Sequence, residues 1–213
     1  AITGSSGKTT ARNMLAAIMG TQGDVCTNLA NQNNEVGVPF TLLGLNKKHV
    51  AAVVELGARH LGDISYLGSF VKPSVSILLN AGSAHIGEFG GYENIVAGKG
   101  EIYSALKDGG VAIVNLDDPA SETWLKSLGS KSVVTYSVER SDADIRAENI
   151  DLDVDKCSFD FVVKGERTSV SLCASGVHNV SNALAAVSAA KVLNVPLDAV
   201  AKGLSLYAAE PGR

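Results

Sequence analysis

The sequence predicts an α/β protein with a mostly parallel central sheet flanked by helices and a small antiparallel β lobe. Three observations carry this prediction. Near-continuous apolar runs at 50–57, 74–79 and 110–115 alternate with segments of helical periodicity. That is the pattern of parallel strands covered on both faces. A loop containing two glycines, Gly4-Ser5-Ser6-Gly7-Lys8, separates the first apolar residues from the first helical segment. From Asp142 onward the period changes to two, over 144–153, 157–163 and 167–173, as in antiparallel strands with one wet face.

Composition narrows the functional classes. The 213 residues fit one large domain, or one domain with an attached lobe. A formal charge of −4 without a basic stripe argues against a nucleic-acid partner. No apolar run reaches membrane-spanning length, and no segment has signal-peptide character, so membrane insertion is not expected. Cys26, Cys157 and Cys173 are odd in number and lack zinc-site spacing. A reducing cytoplasmic setting is the simplest one for them, with Cys157 and Cys173 as small buried hydrophobes. The expected state is a monomer. The first residues lie almost inside the loop motif, and Glu210-Pro211-Gly212-Arg213 follows directly on a helix. Both ends are therefore expected to continue into further domains, with residues 1–213 forming one central domain and 142–175 its antiparallel subdomain.

In chain order, Ala1 to Thr3 reads as the end of a buried strand. Gly4 and Gly7 permit tight backbone geometry around an anion, with N–H groups between Gly4 and Thr10 (through Ser5 and Ser6) facing phosphate oxygens. Lys8 would reach the β and γ phosphates, and the Thr9 hydroxyl would bind Mg²⁺. The positive end of the following helix adds to the same site. This makes the fold P-loop NTPase-like, although Ile2 stands where the general motif has its first glycine. A plain Gly/Ser turn with a solvated lysine is the alternative.

The first helix spans Thr9 to Met19, with Met14, Leu15 and Ile18 on one side. A short strand at Val25 to Thr27 leads into the cluster Asn31-Gln32-Asn33-Asn34, too polar for a core. It is either a capped turn or a ligand-facing loop. A short helix, Phe40 to Leu45, has Pro39 near its first turn. The strand Val50 to Gly57 carries Glu55 at its C-terminal end, where open α/β sheets place ligands. Glu55 is a Mg²⁺ candidate there, or else a solvated strand-end carboxylate. A helix at Ile64 to Phe70 follows.

The strand Ser74 to Leu79 ends in Asn80-Ala81-Gly82-Ser83-Ala84-His85, delivering polar groups to the same edge. Glu88 to Gly91 reads as a turn into a helix, Tyr92 to Leu106. Lys99 lies inside that helix between Gly98 and Gly100. Each glycine costs about 1 kcal/mol in a helix, so something should approach this turn closely. A surface lysine with tolerated glycines is the alternative. A third strand, Gly110 to Asn115, ends in Asn115-Leu116-Asp117-Asp118-Pro119. A helix at Ala120 to Leu128, a strand at Lys131 to Tyr136 and the alternating strands follow. Asn179, Asn182 and Ala186 share one side of an Ala-rich helix at Asn179 to Leu193, where amides read a base edge or cap the helix. Leu197 to Leu206 is the last helix.

Several of these segments together resemble one known family. They are Thr3-Gly4-Ser5-Ser6-Gly7-Lys8-Thr9, Asn31-Gln32-Asn33-Asn34-Glu35-Val36-Gly37-Val38-Pro39, Glu55-Leu56-Gly57-Ala58, Asn80 with Ala84-His85, Gly98-Lys99-Gly100-Glu101-Ile102, and Gly176-Val177-His178-Asn179 with Asn182-Ala183. Over essentially its whole length the chain resembles the central, ATP-binding domain of the Mur ligase family. The Asn-Asn-Glu-Val-Gly-Val-Pro and Gly-Lys-Gly-Glu-Ile segments favour the member that adds D-alanyl-D-alanine.

The resemblance implies a reaction in peptidoglycan precursor synthesis. ATP phosphorylates the terminal carboxylate of a UDP-N-acetylmuramoyl-tripeptide, and the amine of D-alanyl-D-alanine attacks the acyl phosphate. It implies Lys8 on the transferring phosphoryl group, Thr9 and Glu55 on one Mg²⁺, His85 on a second, and a carbamylated Lys99. It also implies Asn179 and Asn182 beside the adenine, Arg213 approaching the nucleotide, and Asn31, Asn33 and Asn34 facing the muramoyl-peptide. Arg59 stands where many relatives have Asn, which leaves that loop's substrate contact open. The family's N-terminal UDP-sugar-binding and C-terminal domains are not in these residues, so the segment alone is expected to be inactive in ligation. The alternatives are a related amide ligase such as folylpolyglutamate synthase, a P-loop NTPase switch or motor, and a catalytically inert domain.

Overall fold

A computed structural model of the chain describes residues 1–82 and 86–208. Its elements alternate as the apolar runs predict. They are β1 (Ile2–Thr3), α1 (Lys8–Gly20), β2 (Asp24–Thr27), α2 (Gly37–Leu43), β3 (His49–Val53), α3 (Asp63–Val71), β4 (Val75–Leu78), α4 (Ile86–Phe89), α5 (Tyr92–Ser104), β5 (Val111–Asn115), α6 (Ser121–Leu128), β6 (Ser132–Ser137), β7 (Ile145–Leu152), β8 (Cys157–Val163), β9 (Glu166–Leu172), α7 (Val177–Val192) and α8 (Leu197–Ser205).

The main sheet runs β1-β4-β5-β6-β7-β8-β9. Pairing is parallel from β1 to β7 and antiparallel from β7 to β9. The antiparallel strands therefore join the parallel sheet edge-on, through the register Tyr136 to Ile145. β2 and β3 form a parallel pair of their own. A single parallel bridge between Ile2 and Glu55 attaches that pair to β1. The Ile2 N–H donates to the Val54 carbonyl at 2.9 Å, and the Leu56 N–H to the Ile2 carbonyl at 2.8 Å.

Alternate residues of each central strand feed two cores. Ile77 and Ile113 face one, with α1, α7 and α8; Leu78 and Val114 face the other, with α3, α5 and α6. The alanine bias of 183–190 has a packing reason. α7 is covered almost all round, with Ala183, Ala185, Ala186, Ala189 and Ala190 fully buried, and small side chains let sheet and helices approach it closely.

Four local expectations are corrected. The strand expected over 50–57 ends at Val53, and its first part is only half covered, Val50 being exposed; the residues buried on both faces are Val53 to Leu56. α2 begins at Gly37 rather than Phe40, because the Asn34 side chain accepts the N–H groups of Val36 and Gly37 and starts the helix early. Glu88 and Phe89 lie in α4 rather than a turn, and the turn is Gly90-Gly91. Cys157 is buried as expected, but Cys173 is exposed, one residue past the inward-facing Leu172.

Candidate functional site

The C-terminal ends of β1, β4 and β5, together with the residues after β3, meet at one edge of the sheet. The loop between β1 and α1 is built there. Gly7, the residue before α1, has φ 78° and ψ −8°, a left-handed conformation that glycine adopts without strain. A side chain at Gly7 would also collide with the Asn182 Oδ1, which lies 2.3 Å from where a Cβ would sit. Asn80, at the end of β4, pins the loop. Its Oδ1 accepts the Ser5 and Ser6 N–H groups, both at 3.0 Å. These two N–H groups thus face Asn80. The N–H groups presented to an anion are those of the first turn of α1, which have no carbonyl one turn back. The Lys8 Nζ curls over the loop, donating to the carbonyls of Gly4 at 2.9 Å and Ser5 at 3.4 Å. Asp118, after β5, fixes the neighbouring strand end by accepting the Ala81 N–H at 2.8 Å.

Glu55 is the centre of the arrangement. It is 2 % exposed, and each carboxylate oxygen is engaged. The Thr9 hydroxyl donates to Oε2 at 2.9 Å and the Asn33 amide to Oε1 at 2.7 Å. The Arg12 Nη1 lies 3.5 Å from Oε2. Asn28 holds the Glu55 backbone, its Oδ1 accepting the Glu55 N–H at 2.7 Å and its Nδ2 donating to the Glu55 carbonyl at 3.3 Å. The solvated strand-end reading of Glu55 is therefore excluded. Asn33, expected to face a substrate, turns its amide toward Glu55.

Lys99 projects from α5 into the same region and is 1 % exposed. Its Nζ donates to the Ala58 carbonyl at 3.4 Å and lies 5.2 Å from the Phe89 ring centroid. Burial, and after it the charge of Lys8, lowers its pKa from the usual 10.5 to about 8. The surface lysine reading is excluded by this burial; the neighbouring Glu101 carboxylate accepts the N–H groups of Gly62 and Ser65 at the start of α3. The flanking glycines have a packing cause. A Cβ on Gly98 would come within 2.7 Å of the Phe89 ring, and one on Gly100 within 3.3 Å of Trp124. A cleft of about 610 Å³ is lined by Lys8, Asn31, Asn33, Asn34, Arg59 and Lys99, among others.

The structure thus brings together Gly4, Ser5, Ser6, Gly7, Lys8, Thr9, Glu55, Lys99 and the Asn31, Asn33 and Asn34 loop. Asn182 reaches the phosphate-loop side through Gly7, while the Asn179 amide donates to the Ser175 carbonyl at 2.7 Å. Thr10 sits in the first turn of α1. His85 and Arg213 lie outside the described residues. Sequence reasoning missed Arg12 and Asn28. The signal for Arg12 was present, since it lies three residues beyond Thr9, on the same helix face. Asn28 left no such signal.

Thr9 and Glu55 offer oxygen donors only 2.9 Å apart, the donor type that Mg²⁺ prefers. Among the described residues there is no group of three or more His, Cys, Asp or Glu that could hold a metal on its own. A Mg²⁺ here would complete its shell from water and phosphate oxygens, as this ion usually does.

A family model described as the Mur ligase middle domain matches residues 2–190. The chain is 37 % identical over 213 residues to the UDP-N-acetylmuramoyl-tripeptide–D-alanyl-D-alanine ligase of Escherichia coli, covering all of this chain and 47 % of that protein. Among solved structures, MurF from Acinetobacter baumannii superposes with a TM-score of 0.95 at 39 % identity, over 100 % of this chain and 46 % of that one. MurF ligase from Thermotoga maritima in complex with ADP superposes with a TM-score of 0.88 at 27 % identity, over 100 % and 48 %. The chain spans about half the length of the relatives it matches.

Proposed function

This chain belongs to the Mur ligase family, as its middle domain, and we propose that it is the nucleotide- and metal-binding catalytic core of an ATP-dependent ligase. The reaction is the addition of D-alanyl-D-alanine to a UDP-N-acetylmuramoyl-tripeptide in cytoplasmic cell-wall synthesis, with ATP activating the tripeptide carboxylate as an acyl phosphate. The observation that carries this reading is the Thr9–Glu55 contact at 2.9 Å. It ties the phosphate loop to a buried carboxylate at the sheet's C-terminal edge, beside a cleft of a size that suits a small-molecule ligand.

Each residue then has a task. The first turn of α1 holds phosphate oxygens, with Gly4, Ser5, Ser6, Gly7 and Thr10 shaping the cradle. Lys8 leaves the Gly4 and Ser5 carbonyls to neutralise the transferring phosphoryl group, where electrostatic stabilisation dominates the chemistry. Thr9 and Glu55 hold Mg²⁺, with His85 proposed on a second ion. The metal supplies charge neutralisation on the phosphates. Asn182, packed on Gly7, and Asn179 line the adenine side, and Arg213 approaches the nucleotide. Asn31 and Asn34 face the peptide substrate, while Asn33 orients Glu55. The protein acts as a monomer.

Lys99 is proposed to react with carbon dioxide as a neutral amine, its nitrogen forming the bond to carbon and releasing one proton to solvent, and so to become a carbamate. Burial supports this step by favouring the uncharged form, and a pKa of about 8 makes that form accessible near neutral pH. The carbamate's two oxygens would orient the metal or its waters. The test uses the complete enzyme containing this chain. Lys99→Ala should abolish amide formation, read as ADP release and product chromatography with all three substrates. Millimolar short-chain carboxylic acids should partly restore it. Full activity in Lys99→Ala would refute the role.

A further inference from the structure

We propose that Arg12 is a charge gate on the cation site, disfavouring a bare divalent ion at Glu55 and admitting one already carried by nucleotide phosphates. The inference rests on the reading of Thr9 and Glu55 as the metal-holding pair. Among the described residues, three side chains touch the Glu55 carboxylate: Thr9 and Asn33 are neutral donors, and Arg12 brings a full charge to 3.5 Å from Oε2. The Arg12 side chain cannot swing away easily. It is 3 % exposed. Its Nη1 donates to the Ala30 carbonyl at 2.8 Å, and its Nε and Nη2 to the Asn13 Oδ1 at 3.0 and 2.9 Å.

The carboxylate's single charge is therefore matched before any metal arrives. A free dication at Oε2 would share that oxygen with a fixed guanidinium and be repelled by it. No cluster of three or more metal-ligating side chains exists among the described residues to offset this repulsion. A metal–nucleotide complex brings its own excess of negative charge and escapes the penalty. Arg12 thus selects the form in which the cation enters, and spares Glu55 the cost of an uncompensated buried charge in the meantime.

The competing account makes Arg12 a strut between α1 and the loop at Ala30. The two accounts predict opposite signs, because loss of a strut weakens metal binding and loss of a gate strengthens it. The probes are free Mn²⁺, followed by the loss of its free-ion paramagnetic resonance signal on binding, and preformed Mn–ADP, followed by calorimetric titration because the nucleotide alone already removes that signal. Each is titrated into the chain, with folding checked by circular dichroism. The unsubstituted chain should bind free Mn²⁺ at least about 100-fold more weakly than Mn–ADP, and Arg12→Gln should tighten free Mn²⁺ binding by about tenfold or more. Arg12→Lys keeps the charge and should stay within about threefold of the parent.

Unchanged or weaker binding in folded Arg12→Gln overturns the gate, as does equal tightening in Arg12→Lys. If Arg12→Gln does not fold, the unsubstituted chain decides: similar affinities for free Mn²⁺ and Mn–ADP overturn the gate and leave the nucleotide reading standing. Failure to bind Mn–ADP at all overturns both.

Discussion

A buried ammonium at position 99 is costly to the folded chain. Lys99 is 1 % exposed, and its pKa falls from 10.5 to about 8, mainly by desolvation. The sign follows from linkage. Below about pH 8 both folded and unfolded chains carry the proton, and the folded state bears the whole penalty. Between about 8 and 10.5 the unfolded chain holds more protons, so stability rises with pH. Lys99→Met should therefore stabilise the unmodified chain at pH 7 by about 1–3 kcal/mol and flatten the rise above pH 8. Urea denaturation across pH 6 to 10.5 checks both. A destabilised Lys99→Met at pH 7 would mean that the Ala58 carbonyl and the Phe89 ring compensate the burial fully. At this scale the sequence was partly legible. Two glycines around Lys99 announced a close approach, but not that the approaching groups are Phe89 and Trp124. Glu55 was legible from its place at a strand end, whereas the side chains that hold it come from positions 9, 12, 28 and 33. Such convergence depends on tertiary geometry that no local pattern encodes.

Helix α1 links the site to the rest of the fold. Its N-terminal half carries Lys8, Thr9 and Arg12, and its C-terminal half packs on α8. At that crossing Gly203 lets the backbones meet. A Cβ there would lie 2.4 Å from the Ile18 Cα and 2.8 Å from its nitrogen. Because the opposing atoms are backbone, the helices must separate. Gly203→Ala should cost about 2 kcal/mol, a fall in Tm of about 4–8 °C for a chain of this size, measurable by calorimetry. An unchanged Tm would show that α8 shifts freely on α1. Element types were readable because period and length agree in most of the chain. Boundaries failed where side chains override pattern. Asn34 caps α2 earlier than Pro39 suggested, and the run at 50–57 stops as a regular strand at Val53, beyond which Val54 and Leu56 hydrogen-bond to Ile2 and Thr3 of β1.

Across the whole molecule, the main sheet brings the ends of β1, β4 and β5 to one edge beside the residues after β3, and helices cover both of its faces. The antiparallel strands β7 to β9 extend that sheet. Their alternating sequence was legible, but not their parallel attachment through β6, since partner choice leaves no mark on periodicity. On the proposed function, the loop from Gly4 to Thr10 and Glu55 together hold a metal–nucleotide. Calorimetric titration of the folded chain with Mg-ATP is the direct test. Heat of binding is expected at millimolar Mg-ATP, most of it lost in a folded Lys8→Ala variant. No heat and no displacement of a nucleotide probe at that concentration, or undiminished binding in Lys8→Ala, would contradict it.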